Sequence, residues 1–440
     1  MRRILNVFIL FVAAAYTLHA QKTLKFDFGQ GKVKKGYIGV TPETIYTPGR
    51  GYGFDYGTCP ASEAVRCKGA LTGDYCTSTH PFYFSVDLPE GNYDVTVTLG
   101  QRNGSSLTTV KAESRRLMLE KVRTPKGKMV TRTFTVNVRT PRINDSVSIR
   151  IKPREKAYLN WDKKLTIEFC DSLPGIAAME IVPNQAAVTV FLAGNSTVVD
   201  QDKEPWAAWG QMITRFFEPG RVVVANYAES GESLSSFVSS KRLDKIMSVV
   251  KPGDYLFIEF GHNDQKQKGE GIGPWESYSN YLRNFVLEAR NLGVIPVIVT
   301  SMHRRNFDAE GKVVNTLGDY PAAARKVAGE LKVPLIDLNQ MSQTLYEAWG
   351  PEKSVKGFVH YPAGTWPGQT EKLEDNTHFS PYGAYQIAQC IVKGIRDLNL
   401  DLAQFIISGL PPFDPAHPQD PDSWDLPLSP MAANEKPDGN

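Results

Sequence analysis

Two kinds of hydrophobic patterning divide the chain. Over residues 21–185, apolar and polar positions alternate in short runs separated by turns. Phe82 to Leu88 alternates, breaks at Pro89-Glu90-Gly91-Asn92, and resumes from Tyr93 to Leu99. Thr133–Val138, Val147–Ile151 and Leu165–Phe169 repeat the pattern. Period-two alternation buries one face of each strand, so this region predicts an antiparallel β-sandwich. No convincing helix stands out in it.

From residue 186 the pattern changes. Ala187–Ala193 is a continuous apolar run, as expected of a strand covered on both faces. Val222–Ala225, Tyr255–Phe260, Val294–Thr300 and Pro334–Leu338 are similar runs. Helical stretches lie between them at Trp206–Phe217, Ser233–Val249, Glu276–Asn291 and Tyr320–Leu331. Strand and helix alternating in this way predict an α/β domain with a doubly wound parallel sheet over residues 186–400.

The two ends are different again. Arg2 and Arg3, the apolar stretch Ile4–Tyr16 and Leu18-His19-Ala20 predict a signal peptide over residues 1–20, with Gln21 the first mature residue. This places the protein in a secreted or periplasmic compartment. No other stretch is a membrane-span candidate, so no membrane insertion is expected after signal removal. Residues 401–440 form a Pro-rich acidic tail, expected either to dock through Phe413 and Trp424 or to be disordered.

Composition narrows the function classes. A chain of 440 residues, 41% hydrophobic, is long enough for two or three domains with ample cores, and excludes fibrous or wholly disordered classes. The formal charge of +3 falls to +1 without residues 1–20, so bulk charge predicts no nucleic-acid partner. Five cysteines allow two bridges at most; Cys170 and Cys390 read as buried and inert. Charge is nevertheless uneven. Between Gln101 and Leu165 there are 17 Lys or Arg and five Asp or Glu. These are either solvent-facing strand positions or an anion-binding face.

Candidate chemistry lies where a parallel sheet presents it, just beyond the carboxyl ends of the strands. The segments there are Gly194-Asn195-Ser196-Thr197, Asn226-Tyr227-Ala228-Glu229-Ser230-Gly231, Gly261-His262-Asn263-Asp264 and Ser301-Met302-His303-Arg304-Arg305. A nucleophilic serine needs a base, and the base needs an orienting carboxylate. His378 follows Asp375 by three residues, just before a helix beginning near Tyr382, and a pre-helical turn would set the two side by side. Each residue alone has a purely structural reading. Together they supply acyl transfer: Ser196 attacks a carbonyl, and the backbone N–H groups of Ser196 and Gly231 with the Asn263 amide hold the oxyanion. No Gly-x-Ser-x-Gly, His-Glu-x-x-His or Gly-Lys-Ser/Thr phosphate loop occurs, and nothing points to a metal or an organic cofactor.

The four blocks in this order resemble the SGNH (GDSL-like) hydrolase superfamily. Phe191–Thr197, Trp209-Gly210-Gln211, Asn226-Tyr227-Ala228, Phe260–Asp264 and Arg304-Arg305-x-Phe307 are similar to rhamnogalacturonan acetylesterases, carbohydrate esterase family twelve. The resemblance covers about Val188 to Ile395. It implies a flavodoxin-like three-layer α/β/α fold needing no cofactor. It assigns Ser196 as nucleophile, His378 as general base then acid, and Asp375 as its orienting partner, with Ser196, Gly231 and Asn263 in the oxyanion hole. His262 would support Asn263 or border the pocket, and Arg304 and Arg305 would contact galacturonate carboxylates. One departure is Asn195, where the family usually has Asp. The N-terminal sandwich resembles galactose-binding-like modules, in which Tyr52, Phe54, Tyr56 and Trp161 could stack on sugars; its basic residues would suit a polyuronate such as pectin. The implied function is a serine acetylesterase acting on acetylated pectic polysaccharide or oligosaccharide. The alternatives are an esterase of another acetylated glycan such as xylan, or a non-catalytic glycan-binding protein.

Overall fold

The computed structural model describes residues 23–64, 71–430 and 437. The expected signal peptide and Cys67 lie outside the described residues. Two β-sheets form the N-terminal unit. In one, the strands Met129–Val138, Gly91–Gly100, Gly175–Pro183, Leu24–Phe28 and Ile38–Val40 are neighbours in that order, with two short strands attached. In the other, the order is Tyr52–Asp55, Phe82–Asp87, Lys164–Cys170, Ser106–Ala112, Arg116–Thr124. The inward positions of the alternating runs, among them Phe26, Phe84, Val95, Val97, Leu99 and Ile167, make one core. Phe54 belongs to that core, and Trp161 is buried with its indole N–H on Glu155 Oε1, so both pack internally rather than meeting a sugar. Val147–Ile151, expected as a strand, is a loop. Ile149 leaves the sandwich and packs with Trp161 against the α/β core.

The second unit is a five-stranded, wholly parallel sheet. Its order is Val222–Asn226, Val188–Gly194, Tyr255–Glu259, Ile295–Val299, Leu335–Ile336. Numbered along the chain this is 2-1-3-4-5, the flavodoxin-like order, with its switch point beside the strand Val188–Gly194. Helices cover both faces, and two core clusters lie on opposite sides of the sheet. Two expected helices are shorter than the patterning predicts. Trp206–Phe217 holds one α-helical turn, Trp209–Met212, followed by a 3₁₀ turn. Ser233–Val249 breaks into Leu234–Ser239 and Arg242–Val249, with Lys241 between them at φ 65°. Leu338–Lys353 is a further helix, kinked at Gly350. Beyond it, Phe358–Tyr361 and Leu373–Phe379 form an antiparallel pair outside the main sheet.

Of the 17 basic residues of 101–165, eight are solvent-exposed, among them Lys126, Arg132 and Lys163, while others are drawn into ion pairs with the α/β unit. Arg116 pairs with Asp200 at 2.7 Å with both side chains fully buried, Arg115 pairs with Glu204, and Arg154 meets Glu229 at 2.6 Å. These carboxylates belong to the α/β unit, so the charge excess of one unit is matched by the acidity of the other. The tail is docked. Trp424 packs on Tyr385 with ring centres 4.7 Å apart, and Lys111 Nζ donates to Pro427 O and Ser429 Oγ. Cys59, Cys76, Cys170 and Cys390 are free thiols, the last three buried. Among the described residues no helix is long and apolar enough to cross a membrane.

Candidate active site

Ser196 sits in the turn that ends the strand Val188–Gly194. Gly194 is required there, because a Cβ would lie 2.5 Å from Val198 Cγ2 and 3.1 Å from Glu259 O. Asn195 O accepts from the N–H groups of Val198 and Val199, both at 3.0 Å. Gln201 Nε2 donates to Ser196 O at 2.8 Å. The turn is thus pinned on either side of the serine.

Asp375 and His378 come from the strand Leu373–Phe379, not from a free turn before the helix. The turn exists inside the strand. Asp375 Oδ1 accepts from the N–H groups of Thr377 and His378 at 2.9 and 3.0 Å, and pairing with the neighbouring strand shifts register here. Asp side chains favour such local turns because they bond backbone two and three residues on. The next helix follows at once, with Ser380 as its N-cap and Pro381 in its first turn. Between these constraints the His378 ring has little freedom. Its Nδ1 donates to Asp375 Oδ2 at 2.6 Å, and its Nε2 lies 2.8 Å from Ser196 Oγ. All three residues are buried. Burial pushes the Asp375 carboxyl up, but its bonds from His378 and Thr377, with the His378 charge, outweigh this and hold it well below the ordinary range.

The other sequence-predicted residues occupy the same edge. Gly231 has φ 81°, a left-handed conformation that favours glycine. Asn263 Nδ2 donates to Glu232 O at 3.0 Å, and Glu229 N–H donates to Gly194 O at 3.2 Å, so the Gly231 loop is tied both to Asn263 and to the end of the serine strand. Gly231 and Asn263 line one cavity of about 410 Å³ with Lys152, Ser233, Lys266 and Gln267. The backbone N–H groups of Ser196 and Gly231 meet no acceptor among the described residues. His262 is buried behind this edge, its Nδ1 3.9 Å from Glu259 Oε1 and neither ring nitrogen hydrogen-bonded within the described residues. Burial, with Arg304 and His378 nearby, pushes its pKa well down, so the ring is neutral. Arg304 donates to Gln265 Oε1 at 2.8 Å and to Thr316, and Arg305 to Ser354 Oγ at 2.9 Å and Asn376 Oδ1 at 3.1 Å. All these acceptors are neutral.

Three contributors carried no legible signal. Trp206 donates its indole N–H to Asp375 Oδ2 at 3.3 Å. Gln201 holds Ser196, as above. Glu259 is fully buried, and its Oε2 and Asn195 Oδ1 both lie 2.8 Å from Thr197 Oγ1. A hydroxyl has one proton. If Thr197 gives it to Asn195, Glu259 must donate in turn, so the geometry suits a neutral carboxyl; burial pushes its pKa up to about 7. Among the described residues no group of three or more His, Cys, Asp or Glu is placed to hold a metal ion.

Residues 192–384 match the GDSL-like Lipase/Acylhydrolase family, and residues 24–144 match the β-agarase/YXIM esterase-like, galactose-binding domain-like family. Rhamnogalacturonan acetylesterase RhgT of Bacillus subtilis is 44% identical over 223 residues, which are 50% of this chain and 95% of that protein. The uncharacterized esterase YxiM of the same organism is 28% identical over 346 residues, 76% of this chain and 84% of that one. The crystal structure of YxiM aligns over 86% of this chain and 99% of that chain at a TM-score of 0.46. Fold and relatives together define a carboxylic ester hydrolase. The chain belongs to the GDSL-like lipase/acylhydrolase family, with an all-β, galactose-binding-like unit in front of the hydrolase domain.

Proposed function

We propose that this enzyme is an exported acetylesterase that removes O-acetyl groups from acetylated pectin of the rhamnogalacturonan type. The observation that carries the reading is the line Asp375–His378–Ser196, with contacts of 2.6 and 2.8 Å, in a segment 44% identical to a rhamnogalacturonan acetylesterase. His378 Nε2 takes the Ser196 proton as Oγ attacks the acetyl carbonyl. Asp375 keeps the other ring nitrogen protonated and stabilises the imidazolium. The N–H groups of Ser196 and Gly231 and the Asn263 amide receive the oxyanion. Collapse gives acetyl-Ser196, with His378 giving its proton to the departing sugar oxygen. Water, deprotonated by His378, then attacks the acetyl carbon, and collapse with return of that proton from His378 to Ser196 Oγ releases acetate and restores the serine.

The accompanying assignments are a signal peptide at 1–20, an accessory domain at 21–185, the hydrolase domain at 186–400 and a tail from 401 docked on both. Arg304 and Arg305 form no ion pair among the described residues, which leaves their charge available to attract a uronate carboxylate near the site. The test is acetate release from acetylated rhamnogalacturonan, acetylated xylan and a small aryl acetate, comparing the mature protein with Ser196→Ala. Preferential release from rhamnogalacturonan that vanishes in the variant supports the proposal. Preference for xylan reassigns the substrate, and glycan binding without release from any of them returns the chain to a binding role.

A further inference from the structure

The N-terminal unit reaches the candidate oxyanion site through two cations. Lys152 Nζ donates to Ser230 O at 2.5 Å, and Arg154 Nη2 donates to the same oxygen at 2.9 Å. That carbonyl and the Gly231 N–H belong to one peptide unit. In a trans peptide the two point in opposite directions. Whatever holds the carbonyl therefore aims the N–H. Gly231, at φ 81°, resists rotation of this peptide less than a residue with a side chain would. Left alone, the unit would be free to turn its carbonyl toward the site.

Both cations are themselves fixed. Lys152 pairs with Glu232 at 3.0 Å, and Arg154 pairs with Glu229 at 2.6 Å. Between the two residues and helix Arg242–Val249 lies Glu155, whose Oε2 accepts from Lys152 N–H at 2.8 Å and from Arg242 Nη2 at 2.6 Å in a fully buried pair. Segment 152–155 is thus bolted to the α/β unit and presents two positive groups to one carbonyl. Charge on the carbonyl side also polarises the peptide, making its N–H a stronger donor.

We propose that Lys152 and Arg154 are positioning residues that hold the Ser230–Gly231 peptide with its N–H turned to the developing oxyanion, so that the N-terminal unit completes the catalytic site. The inference rests on the reading of Gly231 as an oxyanion donor. It predicts a loss in kcat without a matching change in KM, because a donor used only in the transition state leaves substrate binding untouched.

The experiment uses the full-length mature enzyme and a small aryl acetate, which makes no sugar contacts. Lys152→Met, Arg154→Met, their double variant, and the conservative Lys152→Arg and Arg154→Lys are compared with Ser196→Ala. The double Met variant is expected to lose about 10- to 100-fold in kcat, less than the ~10²–10³ of removing a donor outright, with KM within about twofold. The conservative variants should retain most of the activity, since each still places a cation on the carbonyl. Unchanged kcat in the double variant, a change confined to KM, or equal losses in the conservative and Met variants would each overturn the proposal. If the double variant does not fold, Lys152→Met decides on the same split. Full activity in Ser196→Ala would instead remove the underlying reading of the site, a separate result.

Discussion

The carboxylate of Asp375 is gripped from two sides at one oxygen. His378 Nδ1 lies 2.6 Å from Oδ2 and the Trp206 indole donates to the same atom at 3.3 Å, while Oδ1 takes two backbone N–H groups. Four donors on one side chain leave no room for a second tautomer of the imidazole. Asp375→Asn keeps the shape but presents an NH₂ where acceptors are needed. We expect kcat to fall by about 10⁴ with KM little changed, the size seen when a triad carboxylate becomes an amide. Steady-state kinetics on a small aryl acetate check this. The depressed pKa adds a stability signature. Asp375 stabilises the native state above its unfolded pKa of 3.8 and ceases to as pH falls through its lower folded value. The melting-temperature difference between wild type and the Asn variant should therefore shrink below about pH 4.

Glu259 has the opposite sign. Its native pKa, pushed up to about 7 by burial, lies above the ordinary 4.5, so the folded state binds the proton more tightly. Stability from this group is intact below pH 4.5 and declines as pH rises to about 7, by on the order of 3 kcal/mol. Glu259→Gln keeps a neutral polar group beside Thr197 and removes the titration. The variant should melt close to wild type at pH 5 and above it at pH 8. A constant difference across that range would mean that Glu259 is ionised throughout. Asn195 fits the same logic, since an Asp there would place a second carboxylate on the Thr197 hydroxyl.

Much of this was legible in the sequence because burial leaves a periodic trace. The alternation at Phe82–Leu88 and the apolar run at Ala187–Ala193 report one-sided and two-sided covering, and the strands Phe82–Asp87 and Val188–Gly194 lie there. Helix Leu338–Lys353 was not legible, because Gly350 and Pro351 interrupt it and its buried face includes the polar Asn339 and Ser342. The residues around Ser196 and His378 stood out by type and spacing. Trp206, Glu259 and Lys152 did not, since their roles arise from contacts between segments far apart in the chain. Charge patterning was legible only for the exposed half of the basic residues, for a similar reason. A lysine or arginine on a strand reads as solvated unless the distant carboxylate that buries it, such as Asp200 for Arg116, is known.

The tail contributes packing rather than length alone. Trp424 covers Tyr385 and Tyr382 and donates to Glu120 Oε1 at 3.1 Å, so it bridges the last helix and the N-terminal unit. Trp424→Ala should lower stability by about 1–3 kcal/mol, in the range for a half-buried aromatic with one hydrogen bond. Denaturant melts should show a shifted midpoint with an unchanged slope.

The pair Arg116–Asp200 tests whether the two units unfold as one. Its side chains are completely buried, and Arg116 also donates to Asn137 O at 2.9 Å while Asp200 accepts from Asn226 Nδ2 at 2.8 Å. Asn226 in turn donates to Val198 O in the Ser196 turn. Removing the arginine leaves the buried Asp200 with one cation, the buried Arg139 at 3.6 Å, whereas a buried charge left wholly uncompensated typically costs about 3–5 kcal/mol. Arg116→Met should therefore destabilise by less than that amount. The double variant Arg116→Met/Asp200→Leu should not recover the loss, because it strips the buried Arg139 of the same carboxylate. A double-mutant cycle in urea gives the coupling directly. If the units are one cooperative body, wild type should show a single transition by fluorescence and by loss of esterase activity. Two separated transitions, with activity following only the second, would mean that the hydrolase domain stands without its N-terminal partner and that the buried cations serve adhesion alone.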